Sequence, residues 1–79
     1  MSELILIGES VEWFDTTLNA NIKGEVLSIE RDTMVVATGD IKNPSGNKTQ
    51  VVAKLRQGIW YAWKPQVGYV ERITTIPAP

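Results

Sequence analysis

The stretch IKGEVLSIERDTMVVAT, Ile22–Thr38, decides the fold class of this 79-residue chain. Arg31-Asp32 divides it into two strand-like runs, Ile22–Glu30 and Thr33–Thr38, which we predict to form a β-hairpin. The apolar side chains expected to pack together across this hairpin are Leu27, Ile29, Met34 and Val36. Because the turn contains no Gly, its type stays open.

Further strands are predicted on both sides of this hairpin. They are Val11–Asp15, Gln50–Arg56, Ile59–Trp63 and Tyr69–Ile73, and the apolar run Leu4–Ile7 is long enough to be a further short strand. In Val11–Asp15, alternation places Val11 and Trp13 on one face and Glu12 and Phe14 on the other. A helix starting at Ser10 is the alternative, which the β-branched and aromatic content disfavours.

Turn signals separate these strands. Asn43-Pro44-Ser45-Gly46-Asn47 lies within Gly39–Lys48 and predicts the exposed tip of a long central hairpin. Gln57-Gly58 fits either a tight reversal between two strands or a bulge in one bent strand, and both alternatives stay open. Pro65 has no amide hydrogen to donate and therefore marks an edge or a break.

Five or six short strands, closely spaced turns and no convincing helix predict an all-β fold, a single small barrel with a long central hairpin. Closure into a barrel removes the exposed edges of a sheet. We expect the barrel to occupy residues 1–73 and residues 74–79 to form an extended C-terminal tail.

The segment Pro65-Gln66-Val67-Gly68-Tyr69-Val70-Glu71-Arg72-Ile73 resembles the C-terminal end of SH3 domains, in which a Pro precedes a short helical turn, a Tyr-Val pair and a last strand. The resemblance implies an SH3-like barrel topology. It does not extend to proline-peptide binding, because Val11–Asp15 departs from the Ala-Leu-Tyr-Asp-Tyr motif and no acidic Trp-Trp segment is present.

The chain contains neither Cys nor His. This excludes zinc sites with nitrogen or sulfur ligands, thiolate nucleophiles and Ser-His or Cys-His pairs. The acids Glu9, Glu12 and Asp15 fall on different faces of the predicted strand and are expected to form a solvated acidic edge. We therefore predict a protein that is not an enzyme and that has no catalytic residues, metal or cofactor.

Charge is unevenly distributed along the chain although the net charge is only −1. Residues 1–32 hold seven acids and two bases, whereas residues 33–79 hold six bases and two acids. Such a division could produce an acidic and a basic face. Neither a signal peptide nor a membrane span is indicated, so we expect a cytoplasmic protein that does not bind membranes.

The most concentrated apolar segment is Ile59–Trp63. In a strand, Trp60 lies on the opposite face from Tyr61 and Trp63, so that either Trp60 or the other two should be partly exposed. We predict an interaction surface formed by Trp60, Tyr61, Trp63, Arg56, Lys64 and Tyr69. The alternative is that all three aromatic residues of the strand pack under loops.

These observations favour a non-enzymatic interaction module that binds a protein partner or itself and forms a homo-oligomer, since so short a chain has a thin core. Nucleic-acid binding through Lys54, Arg56 and Lys64 with Trp60 and Tyr69 is the second hypothesis, although a pI near 5.3 disfavours it.

A third hypothesis is an enzyme assembled at an oligomer interface. Gln66-Val67-Gly68-Tyr69 and Glu71-Arg72-Ile73 resemble, in permuted order, the Val-Gln-Ile-Tyr and Leu-Glu-Arg-Ile segments of plasmid-borne type II dihydrofolate reductases. Those enzymes are SH3-like barrels of similar length, and the hypothesis depends on that resemblance alone.

Overall fold

A computed structural model of the chain describes residues 5–41, 44–64 and 68–76. Within these ranges every regular element is a β-strand, which confirms the all-β prediction. The strands are β1 (Ser10–Asp15), β2 (Ala20–Glu30), β3 (Thr33–Thr38), β4 (Thr49–Arg56), β5 (Ile59–Lys64), β6 (Gly68–Arg72) and β7 (Thr74–Thr75).

The strands form one antiparallel sheet in the order β6-β5-β4-β3-β2-β1-β7. Only Ile73 separates β6 from β7, yet β6 pairs with β5 at one edge of the sheet and β7 pairs with β1 at the other. This last segment therefore brings the two edges together into a nearly closed barrel. The small-barrel prediction is confirmed, and the count of seven strands reflects the division of this segment at Ile73.

Two of the predicted turns are tight reversals. Arg31-Asp32 joins β2 to β3, and the φ angle of Arg31 is +57°. Gln57 and Gly58 join β4 to β5 with φ angles of +52° and +79°, the left-handed pair that suits a two-residue hairpin. Because Arg56 pairs with Ile59 across this turn, the alternative of a bulge in one bent strand is wrong.

The predicted long central hairpin is also present. β3 and β4 pair from Thr33 with Lys54 to Thr38 with Thr49, and residues 39–48 connect them. Residues 42 and 43 of this connection lie outside the described part of the chain.

The predicted strand Leu4–Ile7 is wrong within its described residues, Ile5–Ile7. The chain turns there, with the amide of Glu9 donating to the carbonyl of Leu6 at 3.1 Å. Gly8, whose φ is +91°, donates to the carbonyl of Val26 at 2.9 Å and thereby attaches this turn to β2. A run of four apolar residues is too short to outweigh a turn that needs a left-handed glycine.

The expected loose tail from residue 74 is also corrected. Thr74 and Thr75 form β7 on the edge of β1, and the amide of Ile76 donates to the carbonyl of Ser10 at 3.0 Å. The open edge of β1 provides backbone partners that the sequence of the tail does not reveal. Residues 77–79 lie outside the described ranges.

A β-bulge changes which side chains of β2 point inward. The pairing with β3 shifts between Val26 and Ser28, so that Val26 is buried, Ile29 packs against the core and Leu27 is 43% exposed. The expectation that Leu27 packs beside Met34 is therefore wrong. One extra residue in a strand reverses the alternation that follows it.

The barrel interior holds two of the three tryptophans together with aliphatic side chains from every long strand. The buried core consists of Ile5, Val11, Trp13, Ile22, Val26, Met34, Val36, Ala53, Trp60, Ala62 and Ile73. Gly24 packs directly against β3, since a Cβ atom there would be 2.5 Å from the Cγ1 of Val36.

Candidate interaction site

A pocket lies at one end of the barrel, where β1, β3 and β5 end and β2 and β4 begin. We call this end the mouth and its cavity, of about 290 Å³, the mouth pocket. Its apolar wall consists of Trp13, Ile41, Val51, Val52, Ala62 and Trp63. Asp15, Gln50 and Lys64 complete the lining.

Asp15 and Lys64 form an ion pair beside this apolar wall. The Asp15 Oδ1 atom accepts hydrogen bonds from the Lys64 ammonium at 3.2 Å and from the amides of Thr17 and Leu18 at 2.9 and 3.1 Å. Lys64 also donates to the Thr17 hydroxyl at 3.0 Å. The pair therefore fastens the β1–β2 loop to the end of β5.

This geometry corrects the expectation that Asp15 lies on a solvated acidic edge, because Asp15 is only 2% exposed. Burial raises the pKa of its carboxyl, but the hydrogen bonds from the Leu18 amide and the Lys64 ammonium, the charge of Lys64 and the Thr17 amide together outweigh it. The pKa of Asp15 is therefore lowered, and the group is a carboxylate at neutral pH.

A second acid holds the same loop. The Glu71 Oε1 atom accepts from the amide of Thr16 at 2.9 Å and from its hydroxyl at 2.8 Å. The other carboxylate oxygen of Glu71 is buried and has no hydrogen-bond partner in the part of the chain that the structure describes. Asp15 and Glu71 thus fix the loop that borders the mouth from two different strands.

The structure brings two of the predicted interaction residues into the pocket, Trp63 and Lys64. Tyr61 is half-buried on the outward face of β5, opposite Lys54 on β4 and Arg72 on β6. Arg56 is exposed at the other end of β4.

Tyr69, also predicted for this surface, pairs through its backbone with Trp63, and its side chain lies outside what the structure describes. The same limit applies to the segment that carried the reductase resemblance, since residues 65–67 lie outside the described ranges.

Trp60 does not belong to an exposed surface, since its side chain is 5% exposed in the core. The inward face of β5 carries Trp60, Ala62 and Lys64, and the outward face carries Tyr61 and Trp63, both half-buried. The prediction that one of the two aromatic faces is partly exposed is confirmed, but the expectation of Trp60 as an exposed anchor is wrong. A barrel interior of this size accommodates an indole from β5 as well as one from β1.

The residues predicted for nucleic-acid contact do not all lie on one surface. Lys54 points outward and its ammonium donates to the Thr33 hydroxyl at 2.9 Å, whereas Lys64 points inward to Asp15. Trp60 is in the core and cannot stack on a base.

The sequence interpretation missed the buried acid of the pocket and most of its apolar wall. A signal for Asp15 was present, because it has the same alternation as the core residues Val11 and Trp13 and therefore points inward. A carboxylate at such a position requires a partner. Nothing in the local sequence identified Ile41, which reaches the pocket from the β3–β4 connection.

Comparisons of this chain with protein-family models, with curated proteins and with solved structures find no match. Within the described residues, no group of three or more acidic side chains could hold a metal ion. No helix in those ranges is long and apolar enough to cross a membrane.

Proposed function

We propose that this protein is a non-enzymatic interaction module, an SH3-like barrel that binds a protein partner at the mouth pocket with Trp63 as the aromatic anchor. The observation that carries this proposal is the pocket itself, an apolar cavity beside a half-buried tryptophan. Aromatic side chains that are partly covered and border a pocket are typical of binding hot spots.

The dimensions of the pocket indicate what it would hold. Small-molecule sites usually enclose about 300–1,000 Å³, and this pocket is at or below that range. An aliphatic or aromatic side chain from a partner segment matches it better than a cofactor does. Val52 and Trp63 extend the apolar surface from the pocket onto the outward faces of β4 and β5.

The charged groups of the pocket also support binding rather than chemistry. Asp15 and Lys64 are bonded to each other, and Asp15 accepts two further bonds from backbone amides. General acid–base catalysis needs a group that can reach a substrate proton and has a pKa near the working pH. The pKa of Asp15 is lowered, and it is therefore further from neutral pH than that of an ordinary carboxyl group.

A peptide library selected against the full chain tests this function. We expect enriched peptides to contain a large apolar residue and to perturb the NMR signals of Trp63 and Val52. The variant Gln50→Trp places an indole at the pocket lining and should abolish binding. Its control, Asn21→Trp, adds an indole at an exposed strand position that does not line the pocket.

Peptides that bind equally well to both variants, or that perturb only residues distant from the pocket, would contradict the proposal. The same holds if exhaustive selection yields no binder.

A further inference from the structure

We infer that the partner is a second copy of this chain, bound head to tail, with the acidic side of one barrel against the basic side of the next. This inference depends on the proposed function, because the basic side includes Trp63. It is carried by two outward surfaces that differ in charge and that both expose apolar side chains.

The basic side is the outward face of β4, β5 and β6. Across these strands Lys54, Tyr61 and Arg72 lie side by side, and Val52 and Trp63 follow toward the mouth. Neither β4 nor β5 contains an acid. The one acid of β6, Glu71, is bonded to Thr16 of the β1–β2 loop.

The acidic side is the outward face of β1 and β2 with the turn that precedes β1. Its acids are Glu9, Glu12, Glu25 and Glu30, and Lys23 is the one base within these two strands. Beside the acids lie exposed aliphatic side chains. These are Leu6, Ile7 and Leu27, which are 52%, 64% and 43% exposed.

The aliphatic side chains of the acidic side are held in place rather than loosely attached. Ile5 is buried in the core immediately before the turn, and Gly8 and Glu9 each make a backbone hydrogen bond with Val26 at 2.9 and 3.0 Å. A pre-organised apolar patch loses little conformational entropy on binding. Its exposure is costly in a free monomer, which is why such patches usually mark contacts.

The sheet order places the centres of the two sides apart. β3 separates β2 from β4 on one side of the barrel, whereas β1 and β6 are in contact on the other, next to β7. The centres of the two surfaces, β1–β2 and β4–β5, therefore lie across the barrel from each other, and one chain cannot join its own two sides. A contact between unlike surfaces on opposite sides is heterologous, and it builds chains or rings rather than a two-fold dimer.

Sedimentation velocity of the full chain at increasing concentration tests this inference. We expect the wild-type protein to form oligomers larger than a dimer as its concentration rises. Raising the salt from about 50 mM to about 500 mM should weaken the association at least tenfold, because opposite charges face each other. Ile7→Ser on the acidic side and Lys54→Glu on the basic side should each weaken self-association about tenfold or more.

Each variant has a matched control. Leu18→Ser removes an exposed aliphatic side chain from the β1–β2 loop, and Lys48→Glu reverses an exposed lysine that precedes β4. Both controls should associate like the wild type. Circular dichroism should show that all four variants are folded.

The decisive measurement mixes the two defective variants. Ile7→Ser retains an intact basic side and Lys54→Glu an intact acidic side, so the mixture should form 1:1 dimers and nothing larger. A mixture that stays monomeric, variants that associate like the wild type, or a wild-type chain that stops at a dimer would overturn the inference. A monomeric wild-type chain whose Trp63 still responds to a selected peptide would overturn it and leave the proposed function standing.

Discussion

The carboxylate of Asp15 and the ammonium of Lys64 lie 3.2 Å apart on the inward faces of β1 and β5, two strands that are not neighbours in the sheet. The pair therefore crosses the gap between the two ends of the sheet at the mouth. The Asp15 Oδ1 atom also accepts hydrogen bonds from the amides of Thr17 and Leu18. One buried oxygen therefore holds the β1–β2 loop and the edge of the candidate binding site in place.

Replacing Asp15 should cost more stability than replacing its partner. Asp15→Ala removes three hydrogen bonds at once, and we expect the free energy of unfolding to fall by about 2–4 kcal/mol. Lys64→Met leaves the two amide bonds in place and should cost about 1 kcal/mol. Urea denaturation of both single variants and of the double variant measures these free energies. Equal losses in the two single variants would contradict the central position of the Asp15 carboxylate among these hydrogen bonds.

The ion pair should also make stability depend on pH in the acid range. The pKa of Asp15 is lower in the folded than in the unfolded chain, so its contribution is present above the unfolded pKa and is lost as the pH falls through the folded pKa. The stability difference between wild type and Asp15→Asn should be largest at neutral pH and should shrink in acid. A difference that is constant with pH would show that Asp15 does not titrate as the structure requires.

The fold was predictable from alternation and turn residues, since each strand pair with a two-residue turn or a Pro-Gly loop is present. The exceptions arise where backbone geometry overrides alternation. The bulge after Val26 exposes Leu27, and the turn at Gly8 replaces a strand. The bulge has no distinctive local sequence, and the turn, although it uses Gly8, depends on the backbone groups that Val26 of β2 offers.

The candidate site was predictable in part. Trp63 and Lys64 were identified because the sequence concentrates aromatic and basic residues there, whereas Trp60 was assigned to the surface because alternation cannot say which face of a strand is inside. The pairing of Asp15 with Lys64 joins residues 49 positions apart. Such a contact follows from barrel closure and not from any local pattern.

The two tryptophans of β5 should respond differently to truncation. Trp60→Ala opens a cavity in the core and should lower the free energy of unfolding by about 3–5 kcal/mol. A domain of this length is stable by only about 4–12 kcal/mol, so much of the variant should be unfolded near 37 °C. Trp63→Ala should cost about 1–2 kcal/mol and abolish binding at the pocket.

Thermal melts and peptide titrations separate these two effects. If Trp60→Ala melts like the wild type while Trp63→Ala unfolds, the assignment of the inward and outward faces of β5 is reversed.

Gly24 should tolerate no side chain, because Val36 and Ala37 of β3 occupy the space that a Cβ atom would need. A Cβ atom would lie 2.5 Å from the Cγ1 of Val36 and 2.6 Å from the carbonyl oxygen of Ala37, and the backbone oxygen cannot move without disturbing the pairing of β2 with β3. Gly24→Ala should therefore lower the free energy of unfolding by about 1–3 kcal/mol through overpacking. Gly39→Ala is the matched control, since a Cβ there meets nothing within 4 Å.

The control should leave stability unchanged or raise it by up to about 1 kcal/mol, because alanine restricts the unfolded chain more than glycine does. Both effects would be measured by urea denaturation at one pH. Equal stability of the two variants would mean that Val36 and Ala37 do not occupy the space beside Gly24. A loss confined to Gly24→Ala would instead show that the packing of β3 against β2 at this point depends on the absence of a single methyl group.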